Sequence, residues 1–383
     1  MTPNQKKNIS ILSISLGSGG AEKVISLLLK ALVKDYNVTL VLFYKVLHFP
    51  VPKDVNIVVL SDNGPDRPTL LKFMDFFKFI FKYHKFIKKN NIDISVSFLA
   101  FPNLINGIVA TFNKKVKTII SERGFPSDNV TSRLSLYISK IFYPVFYNKC
   151  DKLFSNSVYI NNDLKANFGV KIPMEVIYNP IELPAKIIDS QTLNKPTSTL
   201  KVITAGTLNK RKNQIMIVRA VAASPLKFDV SILGGGELQE YLTDEIKKVN
   251  LDQQINLKGK VKNVNDYLLN NQCFVLSSFT EGFPNALIEA MAIGLPCIST
   301  NCLSGPLELL NENEPISISD GEVFIGKYGL LVNNDDHAAL SKALDYYHNN
   351  PSEREKFSRL SLERANAYKL DTIYYKFNKF ITT

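Results

Sequence analysis

Cysteine is scarce and poorly placed for structural work. Cys150, Cys273, Cys297 and Cys302 are the only four in 383 residues, they share no paired metal-ligand spacing, and they would make a weak disulfide framework for so long a chain. A reducing cytosol fits them. No run reaches the ~18 uninterrupted apolar residues of a membrane span, and the start, MTPNQKKNISILSISLGSGG, breaks its short apolar run with glycines, as a first buried strand does and a signal peptide does not. The expectation is a soluble or peripheral protein. Histidine is nearly absent too: His48, His84, His337 and His348 all fall outside the motifs described below, which indicates neither a histidine base nor a histidine-held metal.

Negative charge is missing from one half only. Residues 1–182 hold 24 Lys+Arg against 13 Asp+Glu, while the remainder hold 22 of each. All the excess of +11 therefore sits in the first half, which is expected to meet something anionic: nucleic acid, phospholipid or a phosphorylated substrate. A generic basic surface is the plainer alternative. Nucleic acid is the weakest of the three, because basic and aromatic residues are not interleaved on a strand or loop platform.

At roughly 100–200 residues per domain the length predicts two domains, and 45% hydrophobic residues give each a core. Short β-branched runs (NISILSISL, NVTLVLF, NIVVL, ISVSFL, KTIISE, KLFSNS, EVIYNP) alternate with helical periodicity, the pattern of a parallel sheet covered on both faces. Residues 183–199, LPAKIIDSQTLNKPTST, lose this periodicity and are read as an interdomain linker. A second series then begins: LKVITAGT, DVSILGGG, INLKGK, CFVLSS, PCIST, GLLV. Two doubly wound domains, 1–182 and 200–368, are expected to face each other across a cleft at their strands' carboxyl ends. One helix stands apart. Residues 69–90 place Lys72, Asp75, Lys78, Lys82, Lys85 and Lys88 three or four apart on a helix rich in Phe, Leu and Ile. That fits an interfacial membrane helix on an anionic surface, and equally an amphipathic helix covering a sheet.

Several turns can bind an anion. SLGSGGAEK (15–23) joins the first strand to the first helix, where free amides favour negative charge. Gly17 and Gly19 fit a dinucleotide fingerprint, but Glu22 replaces its third glycine and the second strand ends in LFYK without a ribose-holding acid, which argues against an NAD-dependent enzyme. A tight packing turn remains the simpler alternative. AGTLNKRKNQ (205–214) puts Lys210, Arg211 and Lys212 just before a helix, where cations are unfavourable unless a diphosphate joins them. A solvated charge run is the plain alternative there. LGGGE (233–237) can bring its backbone close to a ligand. In SFTEGFPNALIEAMAIGLP (278–296), Pro284 suits the first helical position, Glu281 lies in the loop ahead and Glu289 in the second turn. An anion on those amides with hydroxyls on either side, a diphosphate between two sugars, fits the stretch.

The motifs LGSGGAEKV, SERG, SNS, YNPIE, GTLNKRKNQ, LGGGE, TEGFPNALIEAMAIGLP, SGPLEL and YGLLV, in that order over nearly the whole chain, resemble glycosyltransferase family 4, with its two-Rossmann-domain GT-B fold. The likeness is strongest to transferases that extend lipid-pyrophosphate-linked oligosaccharides of bacterial surface glycans or N-glycans. It implies a retaining, metal-independent enzyme without a cofactor, taking a UDP-sugar donor whose sugar is an N-acetylhexosamine or a hexose, and a lipid-linked glycan acceptor at the cytoplasmic face of the membrane. By the resemblance Glu281, Lys212 and Arg211 are catalytic. Glu281 would hold the transferred sugar and Glu289 the ribose. Gly19, Gly20, Thr207, Gly234, Gly235, Gly282, Phe283, Asn285 and Ala286 complete the donor set, and residues 369–383 form a helix crossing back to the first domain. Two departures stand out: Thr207 occupies the place of the family's usual arginine, so Arg211 or Lys210 is the substitute cation, and Arg123, after Glu122 on the acceptor side, stands where histidine is common. An epimerase or hydrolase on the same fold, and an inactive membrane-surface protein, are the competing readings.

Overall fold

The computed structural model describes residues 6–64, 68–128 and 133–383, which divide into two compact units. The first runs to Pro180 and takes up Leu370–Thr383 again; the second is Ile181–Lys369.

In the first unit seven strands, β1 (Asn8–Ser13), β2 (Asn37–Tyr44), β3 (Asn56–Ser61), β4 (Ile94–Phe98), β5 (Lys117–Glu122), β6 (Lys152–Ser155) and β7 (Met174–Val176), lie in the order β3-β2-β1-β4-β5-β6-β7. All pairings are parallel. The central strands are buried along nearly their whole length, as a sheet covered on both faces requires. Helices α1 (Gly20–Asp35), α2 (Thr69–Lys89), α3 (Ala100–Phe112), α4 (Arg133–Phe146) and α5 (Val158–Phe168) connect them. On α2 the structure departs from the expected stripe: Asp75 is only 3% exposed, on the buried row with Phe79, Tyr83 and Phe86, instead of on the polar face with the lysines.

The second unit repeats the design with β8 (Leu200–Ala205), β9 (Phe228–Leu233), β10 (Ile255–Gly259), β11 (Cys273–Leu276), β12 (Cys297–Thr300), β13 (Phe324–Ile325) and β14 (Leu330–Val332), ordered β10-β9-β8-β11-β12-β14-β13. Only the edge pair β13/β14 is antiparallel. Its helices are α6 (Ile215–Ala223), α7 (Gln239–Lys248), α8 (Val264–Leu269), α9 (Asn285–Ile293), α10 (Pro306–Asn311), α11 (His337–Asn349) and α12 (Pro351–Asn366). Strand order reverses between β8 and β11, so the loops leaving their carboxyl ends diverge, the place where such sheets bind ligands.

Residues 183–199, expected as a linker, belong to the second unit. Ile188 N–H donates to Ile293 O at 2.8 Å, Ser190 and Ser358 hydroxyls meet at 2.8 Å, and Leu193 is buried. The fully buried Arg354 of α12 donates from Nη2 to Lys195 O at 2.6 Å and from Nη1 to the carbonyls of Tyr347 and His348. The stretch lacks periodicity because side chains, not a ladder, fix it. The last helix, α13 (Leu370–Thr382), packs on the first unit: the Phe377 and Phe380 rings meet Phe154 edge to face at 5.4 and 5.9 Å, and Tyr36 Oη donates to Asn378 Oδ1 at 2.6 Å.

Candidate active site

The loop after β8 carries a short 3-10 turn, Lys210–Lys212, capped by Asn209, whose side chain accepts from Lys212 N–H at 3.1 Å. Asn213 then adopts a left-handed conformation (φ +49°), in which asparagine is favoured among non-glycine residues. This loop is stitched to the one leaving β11. Phe279 N–H donates to Arg211 O at 2.8 Å and Ser277 Oγ to Lys212 O at 2.9 Å. The result brings together charges that lie far apart in sequence. Lys212 Nζ sits 2.5 Å from Glu281 Oε1, Arg211 Nη1 3.0 Å from Glu281 Oε2, and Ser278 Oγ donates to Oε1 at 2.6 Å. Arg211 also donates to Thr280 O at 2.8 Å.

Glu281 is 5% exposed, and burial alone would raise its carboxyl. The charges of Lys212 and Arg211, with the hydrogen bonds from Lys212 and Ser278, outweigh burial and hold it below the usual range. One carboxylate between two cations leaves a net positive charge, and the Arg211 side chain, 46% exposed, carries it toward solvent. Beside it, burial and then the Glu281 charge push the Cys302 thiol up to about 12, so it supplies no thiolate nucleophile. Among the described residues no group of three or more His, Cys, Asp or Glu could hold a metal ion.

The backbone from Glu281 to Pro284 is held from behind by the segment before α10. Glu281 N–H donates to Leu303 O at 2.8 Å, and Ser304 Oγ donates to Gly282 O at 2.7 Å. Gly305 (φ +101°) must be glycine, since a Cβ there would lie 2.4 Å from Pro284 Cδ. Pro284 itself is the N-cap rather than the first helical residue, which places Glu289 at the fifth position of α9. Asn285 and Ala286 open that helix half-buried, and Phe283, buried, packs its ring 5.7 Å from that of Tyr368. Thr207 is exposed, and its carbonyl accepts from Gln214 Nε2 at 3.0 Å. Of the glycines after β9, Gly234 (φ +130°) passes so close to Gly206 that a Cβ would sit 1.9 Å from its carbonyl oxygen, whereas at Gly235 a Cβ meets side chains alone, Lys260 at 3.3 Å and Gln239 at 3.8 Å. The supporting Ser277, Ser278, Ser304 and Gly305 carry no role in the sequence reading, although SSFTEG and SGPLEL display them.

The remaining candidates lie in the first unit. Gly19 and Gly20 are exposed at the start of α1, where Glu22 folds back so closely that a Cβ on Gly19 would lie 2.3 Å from its Oε2. Glu122 ends β5 and Arg123 follows it, both buried. Arg123 is 7% exposed, its guanidinium lies over the rings of Phe98 and Phe154 at 5.1 and 4.8 Å, and Nη1 donates to Asn179 Oδ1 at 2.9 Å. Tyr147 Oη donates to Glu122 Oε2 at 3.1 Å. Burial raises the Glu122 carboxyl from its ordinary 4.5 to about 7, against the opposing pull of Tyr147, the Arg123 amide and charge, and Asn103. The unfolded chain therefore gains from ionising this group first, and its contribution to stability falls as pH rises from about 4.5 through about 7. Glu122→Gln, which keeps an acceptor for Tyr147, is expected to flatten the melting temperature over that window relative to the wild type, checked by calorimetry at pH 5, 6, 7 and 8.

Two Rossmann-like sheets of seven strands, the second with a positively charged cluster where its strand order reverses, have the architecture of the GT-B fold, and comparison with known proteins agrees. The family model Glycosyltransferase Family 4 matches residues 18–184, and Glycosyl transferases group 1 matches residues 186–363. The chain belongs to the group 1/family 4 glycosyltransferases. It is similar to two Campylobacter jejuni enzymes. N-acetylgalactosamine-N,N'-diacetylbacillosaminyl-diphospho-undecaprenol 4-alpha-N-acetylgalactosaminyltransferase is 29% identical over 94% of this chain and 96% of its own. The alpha-1,4-N-acetyl-D-galactosaminyltransferase acting on GalNAc-alpha-(1->4)-GalNAc-alpha-(1->3)-diNAcBac-PP-undecaprenol is 26% identical over 97% and 98%. Among solved structures, Anabaena HepE in complex with UDP and glucose superposes with a TM-score of 0.75 at 15% identity, covering 98% of this chain and 99% of that one. That likeness concerns the fold.

Proposed function

We propose that the protein transfers a sugar, with retention and without a metal, from a UDP-sugar to a lipid-pyrophosphate-linked glycan at the inner face of a cell membrane. The observation that carries this reading is the net-positive Glu281, Lys212 and Arg211 cluster ahead of α9. Lys212 and Arg211, the latter in place of the cation missing at Thr207, neutralise the diphosphate, aided by the amides of Phe283, Asn285 and Ala286. Glu281 turns to hydroxyls of the transferred sugar and Glu289 to the ribose. The bond from the anomeric carbon to the UDP oxygen breaks, the acceptor hydroxyl oxygen forms the new bond on the same face, and its proton passes to the departing phosphate. The positive cluster stabilises that leaving group, so no separate base is required. Glu122 and Arg123, both buried, fix the acceptor-side loop from beneath. The names of the two Campylobacter relatives favour N-acetylgalactosamine and an undecaprenol-linked acceptor. Such an acceptor keeps the reaction at a membrane boundary, with basic α2 as the contact.

Metal-free thermal shift is the first test. UDP, and more strongly UDP-N-acetylgalactosamine, should raise the melting temperature: a ligand at ~100 times its dissociation constant adds about 2.7 kcal/mol to the folded state. No response to any uridine nucleotide overturns the donor assignment, and turnover of the sugar nucleotide without acceptor identifies a hydrolase or epimerase instead.

A further inference from the structure

A second feature, apart from the donor loops, is one face of the first unit. Helices α2, α3 and α4 pack side by side in one layer, α2 on α3 and α3 on α4. The outward residues of that layer are apolar to an unusual degree. On α2 Phe73, Met74, Phe77 and Phe81 are exposed at helical spacing, and on α4 Tyr137, Ile138, Ile141 and Val145 repeat the pattern. Phe112, the last residue of α3, is exposed between them. With Phe77, Ile80, Phe81, His84 and Lys88 it lines an open, mostly apolar hollow of about 430 Å³.

Charge on the layer has one sign. Lys78, Lys85, Lys88 and Lys89 on α2, Lys114 and Lys115 after α3, and Lys140 on α4 are all exposed. Asp75 is the only acid in the three helices, and it is buried within 3.9 Å of Lys78. A soluble protein partner would have to match two separate apolar rows, one aromatic and one mainly aliphatic. A fluid surface need only offer apolar depth and anionic phosphate, the combination that interfacial helices use.

We propose that α2 and α4 together, with Phe112 between them, form one docking face for an anionic lipid bilayer, with the hollow receiving part of an acyl chain and Lys88 meeting a headgroup phosphate. The inference rests on the membrane-bound acceptor reading for its biological setting, but its distinctive content is α4, which that reading does not use. Among the described residues no helix is long and apolar enough to cross a membrane.

The test is sedimentation with vesicles of phosphatidylcholine alone or with 30 mol% phosphatidylglycerol. The full chain should bind the mixed vesicles, release them in high salt and ignore the neutral ones. Ile138→Ser/Ile141→Ser on α4 and Phe77→Ser/Phe81→Ser on α2 should each weaken partitioning by about tenfold, since each pair removes apolar side chains from the buried depth. Both variants should keep the UDP thermal shift, which separates failure of this proposal from failure of the donor site. Wild-type partitioning by the α4 pair overturns it, as does salt-independent binding to neutral vesicles. A dimer in sedimentation equilibrium that the α4 pair abolishes overturns it also, by assigning the face to a second copy.

Discussion

Replacing Glu281 by Gln should cost about 10²–10³-fold in kcat for sugar transfer while the protein stays folded, a loss of the size seen when one preorganised electrostatic group is removed from an active site. The amide keeps the shape of the carboxylate and an acceptor for Ser278, but it withdraws the charge that Lys212 and Arg211 share. Those two cations then face a donor diphosphate without an internal competitor. UDP binding should therefore hold or tighten even as turnover collapses, and a loss of UDP affinity equal to the loss of kcat would contradict the separate roles given to the three side chains. The pH profile gives an independent check. Because the Glu281 carboxyl is held below its ordinary range, the stability it contributes is present above the unfolded value of about 4.5 and is lost as pH falls through the lower folded value. The gap in melting temperature between wild type and Glu281→Gln should be constant from pH 8 to 5 and close under stronger acid.

Gly234→Ala should be the most damaging methyl group that can be added to the second unit. At φ +130° an alanine is strained, and its Cβ would fall 1.9 Å from the Gly206 carbonyl oxygen, a backbone atom that cannot swing aside. We expect about 3 kcal/mol or more of destabilisation in urea unfolding, within the range of the worst single substitutions. Lys212 suffers with it, because its stem lies beside Gly206, 3.6 Å from where a Cβ there would sit. Gly235→Ala is the contrast, with only a flexible lysine to move. It should leave stability nearly unchanged, and a selective drop in UDP affinity there would mark Gly235 as the glycine a ligand approaches. Equal stability of the two variants would refute the packing argument.

The alternation of strands and helices was legible because each buried strand is a short β-branched run. The strand order was not, since periodicity does not say which strand is the neighbour of which. This is why Glu281 and Lys212 could be singled out in sequence as separate motifs while their 2.5 Å contact could not: it exists because β8 and β11 are adjacent. Asp75 shows a different limit. Stepping by three along a helix drifts about 60° per step, so a row of charges so spaced winds around the helix, and steps of four from Asp75 lead to Phe79 and Tyr83 in the core. Arg123 was placed at the right strand end, but nothing in SERG announces the two phenylalanine rings that enclose it. The linker looked loose because its anchors, Arg354 and Ser358, come from a helix far along the chain.

The order of the chain also sets a timetable for synthesis. Strands β1–β7 leave the ribosome long before α13, the helix that buries Ile373, Phe377, Phe380 and Ile381 on their unit. All of Ile181–Lys369 must be translated in between, and that segment is continuous and can close its own core first. The nascent chain thus carries an unfinished first unit, with the Phe154 ring awaiting its two partners, for as long as the second takes to be made.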